Sequence, residues 1–183
     1  MTDSRPPARA GDRINYLAYG SNLLPARLEA RVGSIETLGC IELPGWGLDF
    51  TKRGADGSGK CTLNSNAIGS AWAVMYAIAA DQQPTLDRIE GLGNGYEVHW
   101  MEIPGYAPCY VYLAQESHRD RALVPFDWYK ALVLAGARFH GFPTTYLTAI
   151  ESVVVTRDVD EQRRAENMRL IDATQHGTAM PHA

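Results

Sequence analysis

Residues 14–23, Ile-Asn-Tyr-Leu-Ala-Tyr-Gly-Ser-Asn-Leu, change character halfway along. The first six, INYLAY, form a β-branched and aromatic run with the look of a buried strand. Gly20, Ser21 and Asn22 break it, and Leu24, Leu28 and Val32 then recur at helical spacing. Ser21 or Asn22 is placed to cap that helix, and Pro25 is tolerable only in its first turn. A strand that stops at glycine and restarts as a helix exposes backbone N–H groups at a positive end, which suits a carboxylate. Gly20 lets a ligand approach the backbone, and Ser21 and Asn22 can add side-chain hydrogen bonds. Helix capping alone explains the same residues, so this segment by itself favours the plainer reading.

Outward from this junction, residues 35–50 read as two strands punctuated by Pro44-Gly45. Residues 60–64 and 70–78 read as further strands, and 96–103 with 108–113 as a strand pair. Helical patterns cover 81–90, with Asp81 as the candidate cap, then 126–139, 143–150 and a charged stretch at 158–171. Strands crowd the first two-thirds of the chain and helices the last third, the order of an α+β domain. Many short strands with few crossover helices predict a small mixed sheet curled into a partly closed β-barrel and flanked by helices.

The 183 residues, 45% hydrophobic and 21% charged, fit one globular domain with a sizeable core. We place it at residues 13–171, between tails at 1–12 and 172–183 that are rich in Pro, Gly, His and small polar residues and are expected to be disordered. Seventeen Lys and Arg against 21 Asp and Glu leave a net charge of −4, with no basic cluster of the kind that binds nucleic acid. No apolar run is long enough to span a membrane, and the polar N-terminus has no signal-peptide core. Cys40, Cys61 and Cys109 are an odd number without a CxxC pair, as expected of reduced thiols in a cytoplasmic protein. Oligomeric state, monomer or homodimer, is not legible, because no apolar stripe stands clear of the core pattern.

Three motifs fail on context. Residues 54–60, GADGSGK, have the spacing of a phosphate-binding loop, but Cys61 follows where a Ser or Thr is needed, and a strand follows where a helix is needed. A hairpin turn at Asp56-Gly57 explains them better. The glycines at 91, 93 and 95 follow a helix instead of a strand, which rules out a dinucleotide loop. The five histidines share no ligand spacing with cysteines or carboxylates, so no metal is expected, and no Ser sits in a G-x-S-x-G elbow.

The remaining signal is Leu86-Asp87-Arg88-Ile89-Glu90-Gly91, where a helix ends before a glycine-rich loop. A carboxylate at a helix C-terminus opposes the dipole, and a Glu so placed is a candidate for the raised pKa of a general base. The pairing of YxAYGSNL (Tyr16 to Leu23) with this LDxxEG resembles the γ-glutamylcyclotransferase family. The runs LDFTK at 48–52, AWAV at 71–74 and YVYL at 110–113, with the helix at 129–136, also look like the family's elements, so the resemblance covers about residues 14–150.

That resemblance implies a partly closed barrel and conversion of a γ-glutamyl compound into 5-oxoproline and a free amine. It further implies that Glu90 is the acid/base and that Tyr16, Leu17, Ala18, Tyr19, Gly20, Ser21 and Asn22 line the substrate loop, joined by Tyr112 from a later strand. The chemistry is self-consistent. The substrate brings its own nucleophile, the α-amine, so one proton carrier and one anion-binding loop suffice, without cofactor or metal. Closing a five-membered ring exploits effective molarities that can reach ~10⁵–10⁸ M. The expected partner is a small γ-glutamyl molecule, with neither nucleic acid nor membrane. The amine half, whether an amino acid, glutathione-derived or larger, is left open. Residues 53–60 and Tyr106-Ala107-Pro108 are the candidates for its border. Two competing readings are a non-catalytic γ-glutamyl-binding module on the same fold and a γ-glutamyl amide hydrolase that releases glutamate.

Overall fold

The INYLAY run becomes β1 (Arg13–Ala18), the central strand of the sheet. The computed structural model describes residues 12–177. On one side of β1 lies a hairpin of two long strands, β2 (Ile35–Arg53) and β3 (Gly59–Ala79). On the other side lie β5 (Cys109–Ala114) and β4 (Tyr96–Met101), which gives the order β2-β3-β1-β5-β4. β1 and β5 run parallel, and every other neighbouring pair is antiparallel. The mixed sheet forms the expected half-barrel, flanked by helices.

Pro44-Gly45, read from sequence as a break between strands, is a register shift inside β2. Gly45 takes φ +79°, and pairing with β3 resumes at Trp46↔Ser65. The two expected strands at 35–50 are therefore one bent strand, and so are those at 60–64 and 70–78. Such bulges bend and twist a sheet locally. Residues 54–58 are the hairpin turn, with Gly57 N–H donating to the Gly54 carbonyl and Gly57 at φ +78°.

Helices α1 (Pro25–Val32), α2 (Gln83–Glu90), α3 (Asp127–Phe139), α4 (Thr144–Glu151) and α5 (Glu161–Gly177) complete the domain. On α3, Trp128, Tyr129, Leu132, Val133, Gly136 and Ala137 share the buried face that the helical period predicts. The core centres on Leu17, Val74, Met75, Ile78, Val111 and Leu132, all inaccessible to solvent. The helix expected to end at 171 runs to Gly177, so residues 172–177 of the expected tail are helical. The rest of that tail and residues 1–11 lie outside the described residues. Asp158, expected on a charged surface helix, precedes α5 and is completely buried.

Candidate active site

The β1–α1 junction does not fold as a simple capped helix. Ser21, Asn22 and Leu23 form a 3-10 turn, and α1 starts only at Pro25, with Leu24 as its cap residue and no side-chain cap. Neither Ser21 nor Asn22 caps α1, which overturns the plainer reading of these residues. Pro25 takes the first helical position because its missing N–H costs nothing there. The turn's bonds run from Leu23 N–H to the Gly20 carbonyl and from Leu24 N–H to the Ser21 carbonyl. This pattern leaves the N–H groups of Gly20, Ser21 and Asn22 outside the turn's own ladder. Gly20 is needed for space, since a Cβ there would lie 3.0 Å from the Cys61 Cβ and 3.4 Å from the Tyr129 hydroxyl.

Freed from capping, the two side chains turn inward. Asn22 Nδ2 donates to Glu90 Oε1 at 2.9 Å and to the Tyr16 hydroxyl at 2.8 Å. Ser21 Oγ accepts from Arg27 Nε at 3.0 Å. Glu90, at the end of α2, pairs through the same Oε1 with Arg31 at 2.7 Å. Arg31 also donates to Asn22 Oδ1 at 2.8 Å, which closes a triangle of Asn22, Arg31 and Glu90. Glu90 Oε2 takes no part in these bonds. The setting of Glu90 is thus an ion pair, not the lone carboxylate at a helix end that the sequence suggested.

This network borders a small cleft lined by Tyr16, Tyr19, Gly20, Ser21, Asn22 and Tyr112, with Glu90 at its edge. Leu17 and Ala18, expected in the same group, are fully buried in β1 and line no part of it. The sequence missed Cys61, Tyr96 and Tyr129, which complete the lining. Tyr129 falls within the helical pattern of α3, and nothing local marks it as more than core.

The phenols fix one another's places. Tyr112 donates to Asp87 Oδ1 at 2.6 Å, Tyr96 to the Cys61 carbonyl at 2.6 Å, and Tyr19 to the Tyr112 carbonyl. Tyr129 accepts from Cys61 N–H at 3.1 Å. Burial pushes Tyr16, Tyr19, Tyr96, Tyr112 and Tyr129 well above the usual phenol range, so each keeps its proton at neutral pH. Burial likewise pushes the Cys61 thiol up, which makes it a poor nucleophile.

A larger cavity of about 480 Å³ opens beyond Glu90 and shares Ser21, Glu90, Tyr96 and Tyr129 with the inner cleft. Arg53, Gly54, Ala55 and Lys60 line it, as anticipated for the segment at 53–60. Tyr106 and Pro108 line a separate surface groove and do not border this site. Among the described residues, no group of His, Cys, Asp and Glu is arranged to hold a metal ion, and no helix is long and apolar enough to cross a membrane.

In fold and sequence the chain is similar to the γ-glutamylcyclotransferases. No family model matches the chain. It is 24% identical over 159 residues to the γ-glutamylcyclotransferase of Bos taurus, a match that covers 78% of this chain and 80% of that protein. Its identity to the Homo sapiens γ-glutamylcyclotransferase is 28% over 160 residues, covering 80% and 84%. A solved structure of a γ-glutamyl cyclotransferase superposes with a TM-score of 0.75 at 24% identity, over 88% of this chain and 99% of that one.

Proposed function

We propose that the protein cyclises a γ-glutamyl amide to 5-oxoproline and releases the free amine. The observation that carries this reading is the 2.9 Å bond between Asn22 and Glu90, which joins the YGSNL and LDxxEG segments at the edge of one cleft. Two motifs that resemble the same family are distant in sequence and adjacent in space.

In this reading Glu90 takes a proton from the substrate α-ammonium through Oε2, the oxygen outside the Arg31 and Asn22 bonds. The freed amine attacks the side-chain amide carbon and a C–N bond forms. The old amide C–N bond breaks as Glu90 returns the proton to the departing amine. The attacking nitrogen gives up its second proton to that amine, which leaves as an ammonium, so no water is consumed. The N–H groups of Gly20, Ser21 and Asn22 hold the α-carboxylate, which keeps the chain folded for ring closure. The inner cleft, about 30 Å³, has room for little more than a water or two. The acyl half therefore sits at the mouth that the two cavities share. Tyr16 and Tyr129 accept from Asn22 and Cys61, and neither phenol proton is committed by those bonds. One of them is positioned to donate to the oxyanion that forms on the amide oxygen.

Mass spectrometry of the wild type and Glu90→Gln with a panel of γ-glutamyl dipeptides and γ-glutamylamines tests this reading. The expected result is 5-oxoproline from the wild type and a loss of about 10²–10⁴-fold in Glu90→Gln, the range of a lost general acid/base. Release of glutamate instead would make the protein a hydrolase. Undiminished turnover by Glu90→Gln would remove Glu90 from the chemistry.

A further inference from the structure

The larger cavity has a charge imbalance that the cyclisation chemistry does not use. Six cations, Arg27, Arg31, Lys52, Arg53, Lys60 and Arg88, line it against one carboxylate, Glu90. Three of them are neutralised in place: Arg31 by Glu90, Lys60 by Asp56 at 2.7 Å and Arg53 by Asp120 at 2.8 Å. Lys52, Arg27 and Arg88 have no carboxylate within ion-pair distance among the described residues.

Lys52 and Arg27 are the informative members, because both are more than nine-tenths buried, at 7% and 8% exposure. The Lys52 ammonium lies 4.4 Å from the centre of the Tyr96 ring, and no hydrogen bond to it is formed among the described residues. Space for it is kept by Gly95, where a Cβ would fall 2.8 Å from Lys52 Cε, and whose φ of +127° disfavours any other residue. Arg27 donates to two neutral acceptors, Ser21 Oγ and Asn167 Oδ1, and neither carries charge. Burial lowers the pKa of both cations, Arg27's to about 10.

A buried cation without a counter-charge is costly, and two in one cavity more so. A neutral leaving amine would leave both unmatched, and a single carboxylate would answer one. We propose that the amine half of the substrate carries two or more negative charges, as two carboxylates or as a phosphate, received by Lys52 from β2 and Arg27 from α1. The proposal rests on the cyclisation reading for the chemistry, though the anion site itself stands on the cavity.

The test compares 5-oxoproline release from three amides: γ-glutamyl-glutamate, γ-glutamyl-O-phosphoethanolamine and γ-glutamyl-ethylamide. At least one dianionic amide is expected to exceed the ethylamide in kcat/KM by tenfold or more, and the better of the two identifies the anion. Lys52→Met is expected to cut that ratio at least fivefold, and Lys52→Arg, which keeps the charge, to retain it. Equal turnover of charged and neutral amides, or a ratio unmoved by Lys52→Met, overturns the proposal. If no amide yields 5-oxoproline, the cyclisation reading fails, and calorimetric titration with inorganic phosphate and with glutarate decides the anion site. Binding weakened tenfold or more in Lys52→Met sustains it. No binding, or equal binding by the wild type and the variant, overturns it.

Discussion

Arg31 on α1 grips Glu90 on α2 through a 2.7 Å Nη1–Oε1 contact, with both side chains mostly shielded from solvent. The pair ties the helix that follows the YGSNL loop to the helix that ends in Glu90. Asn22 bonds to both partners, so the carboxylate is anchored from two directions on one oxygen while Oε2 stays outside these bonds. Arg31 is thus a positioning residue for the proposed proton carrier.

Arg31→Met keeps the length and apolar stem of the side chain but lets Glu90 rotate about its single remaining bond to Asn22. Turnover should fall about tenfold or more, the scale of a misplaced catalytic group, and appear in kcat more than in KM. The melting temperature should fall by a few degrees, since the pair is mostly shielded and Glu90 loses its counter-charge while it keeps its bond to Asn22. A rise in KM at constant kcat would mean that Arg31 binds substrate instead of holding the base.

Tyr129→Phe removes one of the two phenols proposed to face the oxyanion and leaves the ring in place. The Cys61 N–H loses its acceptor, with a stability cost of about 1 kcal/mol. If Tyr129 donates to the oxyanion, kcat should drop by about 10²-fold while KM stays within a few-fold. Normal kcat in a folded Tyr129→Phe would leave Tyr16 as the remaining phenol for that role.

The parts of this fold that sequence made legible are local ones. The β-branched run before Gly20 and the helical period of α3 need only neighbouring residues to declare themselves. Pro44-Gly45 misled because it punctuates strands in general, whereas here cross-strand pairing with β3 resumes beyond the shift. Arg31 was not legible because an arginine in a helix's last turn is ordinary, and its partner lies 59 residues away. Its i,i+4 spacing from Arg27 was the one available hint, since it puts both guanidinium groups on one helical face. Leu17 and Ala18 were carried over as part of a contiguous motif, yet both are fully buried and line no part of the cleft.

Acid should destabilise the protein in two separable windows. His140 lies 2.8 Å from the Tyr76 hydroxyl and 2.9 Å from the Leu23 carbonyl, and burial lowers its pKa. The unfolded chain then binds a proton near pH 6.5 that the folded chain refuses, so stability falls as pH drops below about 6.5. Asp158 behaves differently: Arg163 holds its carboxyl far below the usual range, aided by Trp128 Nε1–H at 2.7 Å. Its contribution is complete above the unfolded value of about 3.9 and is lost as pH falls below that. Melting temperatures against pH should show His140→Gln flattening the upper limb and Asp158→Asn the lower one. Asp158→Asn should also cost about 2 kcal/mol at neutral pH. Unchanged slopes in either variant would remove that group from the acid response.

Gly136 on α3 is where the helix backbone meets the loop that carries the site. A Cβ there would lie 2.5 Å from Leu24 N and 2.6 Å from the Leu23 carbonyl carbon, both backbone atoms that cannot rotate away. Gly136→Ala is helically favourable by about 1 kcal/mol in an exposed position, yet here the clash should outweigh it by about 1–3 kcal/mol. The helix and the 3-10 turn must separate for the methyl group to fit, which drags Ser21 and Asn22 away from Glu90. The variant should therefore lose both melting temperature and kcat, though it touches no substrate. Gly136→Ala with full activity would mean that the Ser21–Leu23 turn yields to α3 without disturbing the Asn22–Glu90 contact, and that the two are positioned independently.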